Sequence, residues 1–212
     1  MAESSTYLVA VGQARYELRE KGSRFLAIVE SVADQESART RIKAYEREYR
    51  GATHVCRAWR TGSPPAEGCS DAGEPAGTAG MPMLQVLRGA EVSDVLAVVV
   101  RWFGGTKLGK GGLARAYAGA VKGTLETLTI VERRPITRLR VLLPYERVGD
   151  LKRLVHPPEV EIVEESYAEQ AEVVLVVDRE RVDEVCEVLE GFATEVVVAG
   201  SRSTGRNRLD EK

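Results

Sequence analysis

The feature that most constrains the fold is a glycine-rich segment between an apolar run and a helical pattern. Residues 95–100 are β-branched enough to form a buried strand. A period typical of a helix begins at Leu113. The segment between them contains Gly104, Gly105, Gly109, Gly111 and Gly112. A strand, a glycine-rich loop and a helix N-terminus in this order favour anion binding, because free backbone N–H groups and the helix dipole both attract negative charge.

Basic and aromatic side chains accompany these glycines. Phosphate contacts need Lys or Arg side chains together with backbone N–H groups, and this part of the chain supplies both. The candidate phosphate-binding cations are Arg101, Lys107, Lys110, Arg115 and Lys122. Trp102 and Phe103 either stack on bases, as in proteins that bind single strands, or pack in the core behind the strand. If nucleic acid binds, we expect it to bind here.

A second loop, residues 70–80, combines two acidic residues with glycines. Asp71 and Glu74 could bind Mg²⁺ together, or act as a general acid and a general base. The alternative is that they cap the following short helix and bind loop amides. His54 lies in a predicted strand over residues 53–61. It is either a structural hydrogen-bonding residue or a functional one beside the acidic loop. Asp71, Glu74 and His54 are therefore candidates to shape a site or to hold Mg²⁺.

Two enzyme motifs are matched only incompletely. Gly104, Gly109 and Lys110 have the spacing of a Walker A motif, but Gly111 replaces the Ser or Thr that must hold Mg²⁺. Gly109, Gly111 and Ala114 match the looser dinucleotide fingerprint, yet they lie several residues beyond the strand. No set of nucleophile, base and orienting residue is visible. The sequence therefore favours a protein without enzymatic activity.

Five segments carry a family resemblance. They are K-G-S-R-F (21–25), A-T-H-V-C (52–56), S-D-A-G-E-P-A-G-T-A-G-M-P (70–82), V-V-V-R-W-F-G-G-T-K-L-G (98–109) and G-G-L-A-R-A-Y (111–117). Together they closely resemble the IMPACT family, in its bacterial YigZ-like branch. The resemblance implies a two-domain cytosolic protein associated with translation regulation and nucleic-acid binding. It implies no established reaction.

We expect an α+β fold with two domains. The resemblance implies a ribosomal protein S5 domain 2-like fold for residues 1–131. For residues 136–204 it implies a ferredoxin-like domain similar to the last domain of elongation factor G. The apolar runs themselves predict βαββαβ order there, with strands at 136–143, 159–166, 170–178 and 194–202 and helices at 145–155 and 180–190. Pro135 marks the boundary because proline breaks a helix. The apolar period stops at residue 203, and residues 205–212 are expected to form a disordered tail.

Charge is distributed unevenly along the chain, although the net charge is only −2. Residues 159–195 contain 13 acidic and 2 basic residues, so this part would repel a polyanion and could dock a basic protein.

The 3 cysteines lack C-x-x-C spacing, which indicates neither a disulfide framework nor a zinc site. No signal peptide or membrane span is recognisable, so a cytoplasmic protein is expected. Arginine outnumbers lysine 23 to 7, which fits a thermophilic source.

The leading functional hypothesis is a non-enzymatic RNA- or ribosome-binding protein that regulates translation. One alternative is a Mg²⁺-dependent hydrolase or phosphotransferase that handles phosphate through the 70–80 loop. Another is a protein-binding regulator that acts through the acidic C-terminal domain. No cofactor is required by the first hypothesis, whereas the second needs Mg²⁺.

Overall fold

A computed structural model describes residues 6–206 of the 212-residue chain. The fold is α+β, and the described chain forms two compact units, residues 7–132 and the residues from 133 onward. The boundary falls inside a strand, β8 (Thr129–Leu143). None of the helices in the described range combines the length and apolar character that crossing a membrane requires.

The first unit is built on a five-stranded antiparallel sheet. Its strands in spatial order are β2 (Gln13–Glu20), β3 (Ser23–Ser31), β7 (Val95–Trp102), β4 (His54–Thr61) and β5 (Ala66–Ser70). Two short strands, β1 (Tyr7–Val11) and β6 (Val92–Ser93), pair in parallel outside this sheet. The helices are α1 (Gln35–Glu48), α2 (Gly80–Gly89) and α3 (Gly109–Leu125).

Strand β7 explains why helices cover both faces of this sheet. Its residues alternate between the faces, and all but the last are buried. Leu96, Val98 and Val100 belong to the cluster that packs with α1, whereas Ala97 and Val99 belong to the cluster that packs with α2 and α3. A continuous β-branched run therefore forms a central strand, as the sequence predicts.

The second unit is a four-stranded sheet with two helices. After β8 come α4 (Val148–Leu154), β9 (Val160–Tyr167), β10 (Ala171–Asp178), α5 (Val182–Glu190) and β11 (Glu195–Arg206). A single 3₁₀ turn precedes each helix. The spatial strand order is β11-β8-β10-β9, and β10 is antiparallel to both of its neighbours. The predicted βαββαβ succession is therefore present, with element ends shifted by a few residues.

Two local expectations differ from the structure. Pro135 does not end a helix, because α3 has already ended at Leu125 and Pro135 lies within β8. Residues 203–206 belong to β11, so the expected tail begins too early, and residues 207–212 lie outside the described range.

Candidate functional site

A cavity of about 440 Å³ lies in the first unit, where β4, the end of β7 and the start of α3 meet. The residues that line it are Thr53, His54, Glu74, Pro75, Arg101, Phe103, Lys107, Leu108, Gly109, Lys110 and Leu113. Both loops singled out in the sequence contribute to this lining. The acidic loop supplies Glu74, and the glycine-rich segment supplies the cations Lys107 and Lys110.

The N-terminus of α3 opens onto the cavity without a side-chain cap. The helix begins at Gly109, four residues before the predicted start, so Gly109, Gly111 and Gly112 form its first turn instead of a loop. The N-cap residue is Leu108, whose side chain offers no acceptor to the first amides. Gly109 has a φ of +74°, which glycine adopts without strain. Free amides and the helix dipole therefore face the same space as the two lysines.

Gly104 and Gly105 precede this helix, and Gly104 serves the packing of the backbone. A Cβ atom at Gly104 would lie 1.8 Å from the carbonyl carbon of Gly22, so no other residue fits there. The Ser23 hydroxyl fixes the same contact, because it accepts the Gly104 N–H at 3.2 Å. The K-G-S-R-F segment thus holds the start of the glycine-rich segment in place. Phosphate approach is not needed to explain Gly104.

Arg101 lies in the wall of the cavity and is buried, with only 5% of its surface exposed. Its Nη1 donates to Glu74 Oε1 at 2.6 Å, and its Nη2 donates to the Ser23 hydroxyl at 3.4 Å. Its Nε is buried without a hydrogen-bond partner. The guanidinium charge is therefore shared with Glu74, which differs from the freely exposed phosphate contact expected from the sequence.

Hydrogen bonds from two side chains stabilise the buried Glu74 carboxylate. Besides Arg101, the Tyr117 hydroxyl donates to Glu74 Oε1 at 2.8 Å. Burial raises the pKa of Tyr117, and its neighbours Cys56 and Glu74 raise it further, so this phenol stays protonated as a donor. Tyr117 ends the segment 111–117 that carries the family resemblance, but nothing in its helical pattern distinguishes it from an ordinary core residue. Glu74 consequently presents little free negative charge to the cavity.

His54 reaches the cavity from the start of β4. Its Nδ1 lies 2.9 Å from the Ala72 carbonyl, which can only accept, so Nδ1 carries the hydrogen. Its Nε2 is 3.9 Å from Glu74 Oε1. His54 therefore lies beside the acidic loop, as one of the two interpretations requires, and its ring is oriented by a backbone bond.

Asp71 does not line the cavity, and both of its carboxylate oxygens are occupied. Oδ1 accepts from the amides of Ala79 and Gly80 at 2.9 and 2.8 Å, and Oδ2 accepts from Gly77 at 2.8 Å. Burial alone would raise the pKa of Asp71, but these three amide bonds outweigh it and lower the pKa. Asp71 therefore caps α2 across the loop, and Asp71 and Glu74 do not face one another as a pair.

Among the residues the structure describes, no three or more His, Cys, Asp or Glu side chains are grouped closely enough to hold an ion. Cys56 is buried, and burial raises the pKa of its thiol to about 12. A thiol of this kind is a poor nucleophile because the thiolate is disfavoured.

Arg115 and Lys122 lie outside the cavity on the exposed face of α3. The Nη1 atom of Arg115 lies 3.5 Å from the position that a Cβ at Gly111 would take, so this guanidinium is beside the first turn of the helix. Lys122 is in the last turn, about 18 Å along the axis from Lys110 at 1.5 Å per residue. Of the five predicted cations, Lys110, Arg115 and Lys122 therefore lie on α3, whereas Arg101 belongs to β7 and Lys107 to the segment before the helix.

The two aromatic residues differ in environment. Phe103 lines the cavity and is 48% exposed. Trp102 instead packs against Tyr49, with ring centres 6.1 Å apart, and the Arg24 guanidinium lies 4.5 Å above its ring. The core-packing interpretation therefore fits Trp102 better, and Phe103 is the ring available to a ligand.

Proteins of one family are similar to this chain. Residues 21–125 match the Impact N-terminal domain. The chain is 38% identical over 150 residues to the IMPACT family member YigZ of Escherichia coli, covering 69% of this chain and 74% of that protein. An IMPACT family member of Haemophilus influenzae is 32% identical over 203 residues, covering 94% of each chain.

A crystal structure of a hypothetical protein shares the fold over both units. It superposes with a TM-score of 0.64 and 28% identity, and the match covers 92% of this chain and 98% of that one. The family match includes all of the residues that line the cavity. The chain therefore belongs to the IMPACT family, in its YigZ-like branch.

Proposed function

We propose that this protein binds RNA, within or beside the ribosome, and takes part in the regulation of translation without catalysing a reaction. The observation that carries the proposal is the meeting of Lys107, Lys110 and the uncapped α3 N-terminus at one cavity. Glu74 is the one acidic residue among the described residues of its lining, and Arg101 balances its charge. Such a site attracts phosphate.

The exposed face of α3 extends the proposed interface. Arg115 is about 7.5 Å and Lys122 about 18 Å from Lys110 along the helix axis. Both side chains are exposed, so they are free to follow successive phosphates of a strand that leaves the cavity. Phosphate contacts of this kind set affinity and orientation without reading sequence.

We also infer the finer fold that the family resemblance implies. The strand order β11-β8-β10-β9, with a helix after β8 and another after β10, supports a ferredoxin-like second unit. An S5 domain 2-like first unit is consistent with its antiparallel sheet and the helices packed on both faces of it. Both implied relatives belong to the translation machinery, which supports a ribosomal setting by analogy.

The hydrolase alternative loses support from the acidic loop. Asp71 binds three backbone amides, and Glu74 Oε1 accepts from Arg101 and Tyr117, so the Asp71 carboxylate and one oxygen of Glu74 are already engaged in structural bonds. A binding function uses the same residues without requiring them to change protonation.

Fluorescence anisotropy with labelled single-stranded RNA tests the proposed function. We expect binding that weakens steeply between about 50 and 200 mM salt. Lys107→Glu/Lys110→Glu should lose at least about tenfold in affinity, because each charge-assisted contact contributes about 1.5–3 kcal/mol. The matched control is Arg39→Glu/Lys43→Glu, which makes the same change in charge on the exposed face of α1.

The control separates a local site from general charge attraction. If both double variants bind RNA as the wild type does, the cavity is not the interface. If the wild type binds no RNA, the proposal fails, and the acidic stretch at residues 159–195 becomes the surface to test against basic ribosomal proteins.

A further inference from the structure

The cavity at the start of α3 offers more than a contact to one phosphate. Its volume of about 440 Å³ is within the range of small-molecule sites, about 300–1,000 Å³. Its lining combines two lysines and free helix amides with the apolar groups of Pro75, Leu108 and Leu113. A surface that only follows a sugar–phosphate backbone needs no apolar wall. A nucleotide, in contrast, presents both a phosphate and a flat apolar base.

Phe103 supplies the surface on which a base would stack. Its ring is 48% exposed at the cavity, although a phenylalanine behind a buried strand would ordinarily pack inward. The Arg101 guanidinium lies 5.6 Å from the ring centre, which fixes the ring from within the wall. Base stacking on an aromatic side chain is tolerant of sequence because every base has a π-face.

The charge at the cavity matches a terminal phosphate better than an internal one. Lys107 and Lys110 form no ion pair with any acidic group in the described part of the chain, whereas Arg101 is balanced by Glu74. Two lysines and the positive end of α3 therefore remain uncompensated. An internal phosphodiester carries one negative charge, but a phosphate monoester carries about 1.5 to 2 at pH 7.

Arg101 adds a buried guanidinium to the wall of the cavity. Its side chain lines the cavity and is 95% buried, and its Nη1 is paired with Glu74. Its Nε is itself buried and has no hydrogen-bond partner, although leaving a buried donor unpaired is unfavourable. The wall therefore keeps a positive group whose hydrogen-bonding capacity is not fully used.

We propose that the cavity binds a nucleotide that bears a phosphate monoester, at the end of an RNA strand, with the base against Phe103. Lys107, Lys110 and the first amides of α3 hold the monoester, and the rest of the strand follows Arg115 and Lys122. This inference rests on the RNA-binding function proposed above and specifies which part of the RNA enters the cavity.

Competition between unlabelled RNA 10-mers for a labelled strand tests it on the full chain. The competitors share one sequence and carry a 5′-phosphate, a 3′-phosphate or hydroxyls at both ends. AMP, UMP and adenosine are measured beside them. We expect one of the phosphorylated strands to compete at least about tenfold better than the strand without a terminal phosphate. We also expect the monophosphates to compete where adenosine does not.

Three variants assign the effect to the cavity. Lys107→Ala/Lys110→Ala should abolish the preference for a terminal phosphate, whereas Arg39→Ala/Lys43→Ala on α1 should keep it. Phe103→Leu should weaken AMP binding, and Phe103→Tyr, which keeps the ring, should retain it. Thermal unfolding of each variant checks that the fold is intact.

The outcomes separate this inference from the proposed function. Equal competition by all three strands, still sensitive to Lys107 and Lys110, would overturn the terminal-phosphate site and leave RNA binding standing. Binding of AMP without binding of any strand would keep the monoester site, but its ligand would be a free nucleotide and not the end of an RNA strand. Binding of neither would overturn both proposals.

Discussion

At the scale of single residues, the site depends on how the negative charge of the buried Glu74 carboxylate is compensated. Glu74 accepts from Arg101 and from Tyr117, and Ser23 also contacts Arg101. These side chains come from β3, β7, α3 and the acidic loop, so one polar cluster joins four parts of the first unit. The sequence does not indicate that these four residues form a cluster, because only the fold brings them together.

Removing Arg101 should destabilise the protein strongly. Arg101→Met leaves the Glu74 charge buried with a single donor, and breaking a buried pair in this way costs about 3–5 kcal/mol of the free energy of unfolding. Adding Glu74→Gln to the same variant should recover part of that loss, because the unpaired charge is gone. Urea unfolding followed by tryptophan fluorescence measures both. A loss below about 1 kcal/mol for Arg101→Met would show that the pair is not structurally important.

Asp71 is the second residue whose role the structure decides. Asp71→Ala removes two bonds to amides at the start of α2 and one to the loop before it, and should lower the free energy of unfolding by about 1–2 kcal/mol near neutral pH. The pKa of Asp71 is lowered in the folded state, so its contribution is complete above the usual Asp pKa. It is lost as the pH falls through the lowered value.

The pH dependence of the stability of Asp71→Ala, compared with that of the wild type, tests this capping role. The stability gap between wild type and Asp71→Ala should be constant from pH 7 to about 5 and should narrow below about pH 4. Chemical denaturation across this range measures the gap. A gap that widens in acid would mean that Asp71 does not act as a charged cap.

At the scale of elements, α3 connects fold and proposed function. Its C-terminal part packs in the core through Val121 and Leu125, while its first turn carries Lys110 and no side-chain cap. A helix is less stable when its first turn contains a lysine and its N-cap side chain accepts no hydrogen bond from the first amides. Anion binding would recover this stability, which is the arrangement expected of a phosphate site.

The same substitution at the two ends of α3 separates stability from binding. Lys110→Glu places an acid in the first turn and should raise the free energy of unfolding by about 0.3–1 kcal/mol while weakening RNA binding. Lys122→Glu places an acid in the last turn and should lower stability by a similar amount. It should affect binding less, because Lys122 lies outside the cavity. Equal effects of both variants on RNA affinity would argue against a site centred on the helix start.

At the scale of the whole molecule, charge does not attract RNA in general. The net charge is −2, and residues 159–195 contain 13 acidic residues against 2 basic ones. The proposed RNA binding would then depend on the local cluster in the first unit, where residues 1–130 hold 17 basic and 14 acidic residues. An interface of this kind is sensitive to a few substitutions and to salt.

Periodic patterns account for most of the fold that the sequence predicted. The β-branched run of β7 and the βαββαβ succession both follow from local rules, and the structure confirms them. The start of α3 was placed too late because glycines at its first positions suggested a loop. Local propensity does not reveal a helix whose first turn is held by packing of later residues.

The candidate site was predicted in its parts and not in its arrangement. Gly109, Lys107 and Lys110 were found because they are adjacent to a strand in the sequence. The pairing of Arg101 with Glu74, the capping role of Asp71 and the exposure of Phe103 depend on contacts between distant segments. No periodicity or motif encodes such contacts, so these roles required the structure.

The most direct test of the central claim is an NMR titration of the ¹⁵N-labelled chain with a single-stranded RNA. Phosphate held by the α3 N-terminus predicts that the amides of Gly109, Lys110, Gly111 and Gly112 shift most, with smaller changes along α3 and none of comparable size at residues 159–195. Shifts concentrated in residues 133–206, with the α3 amides unchanged, would contradict the claim and place the interface in the second unit.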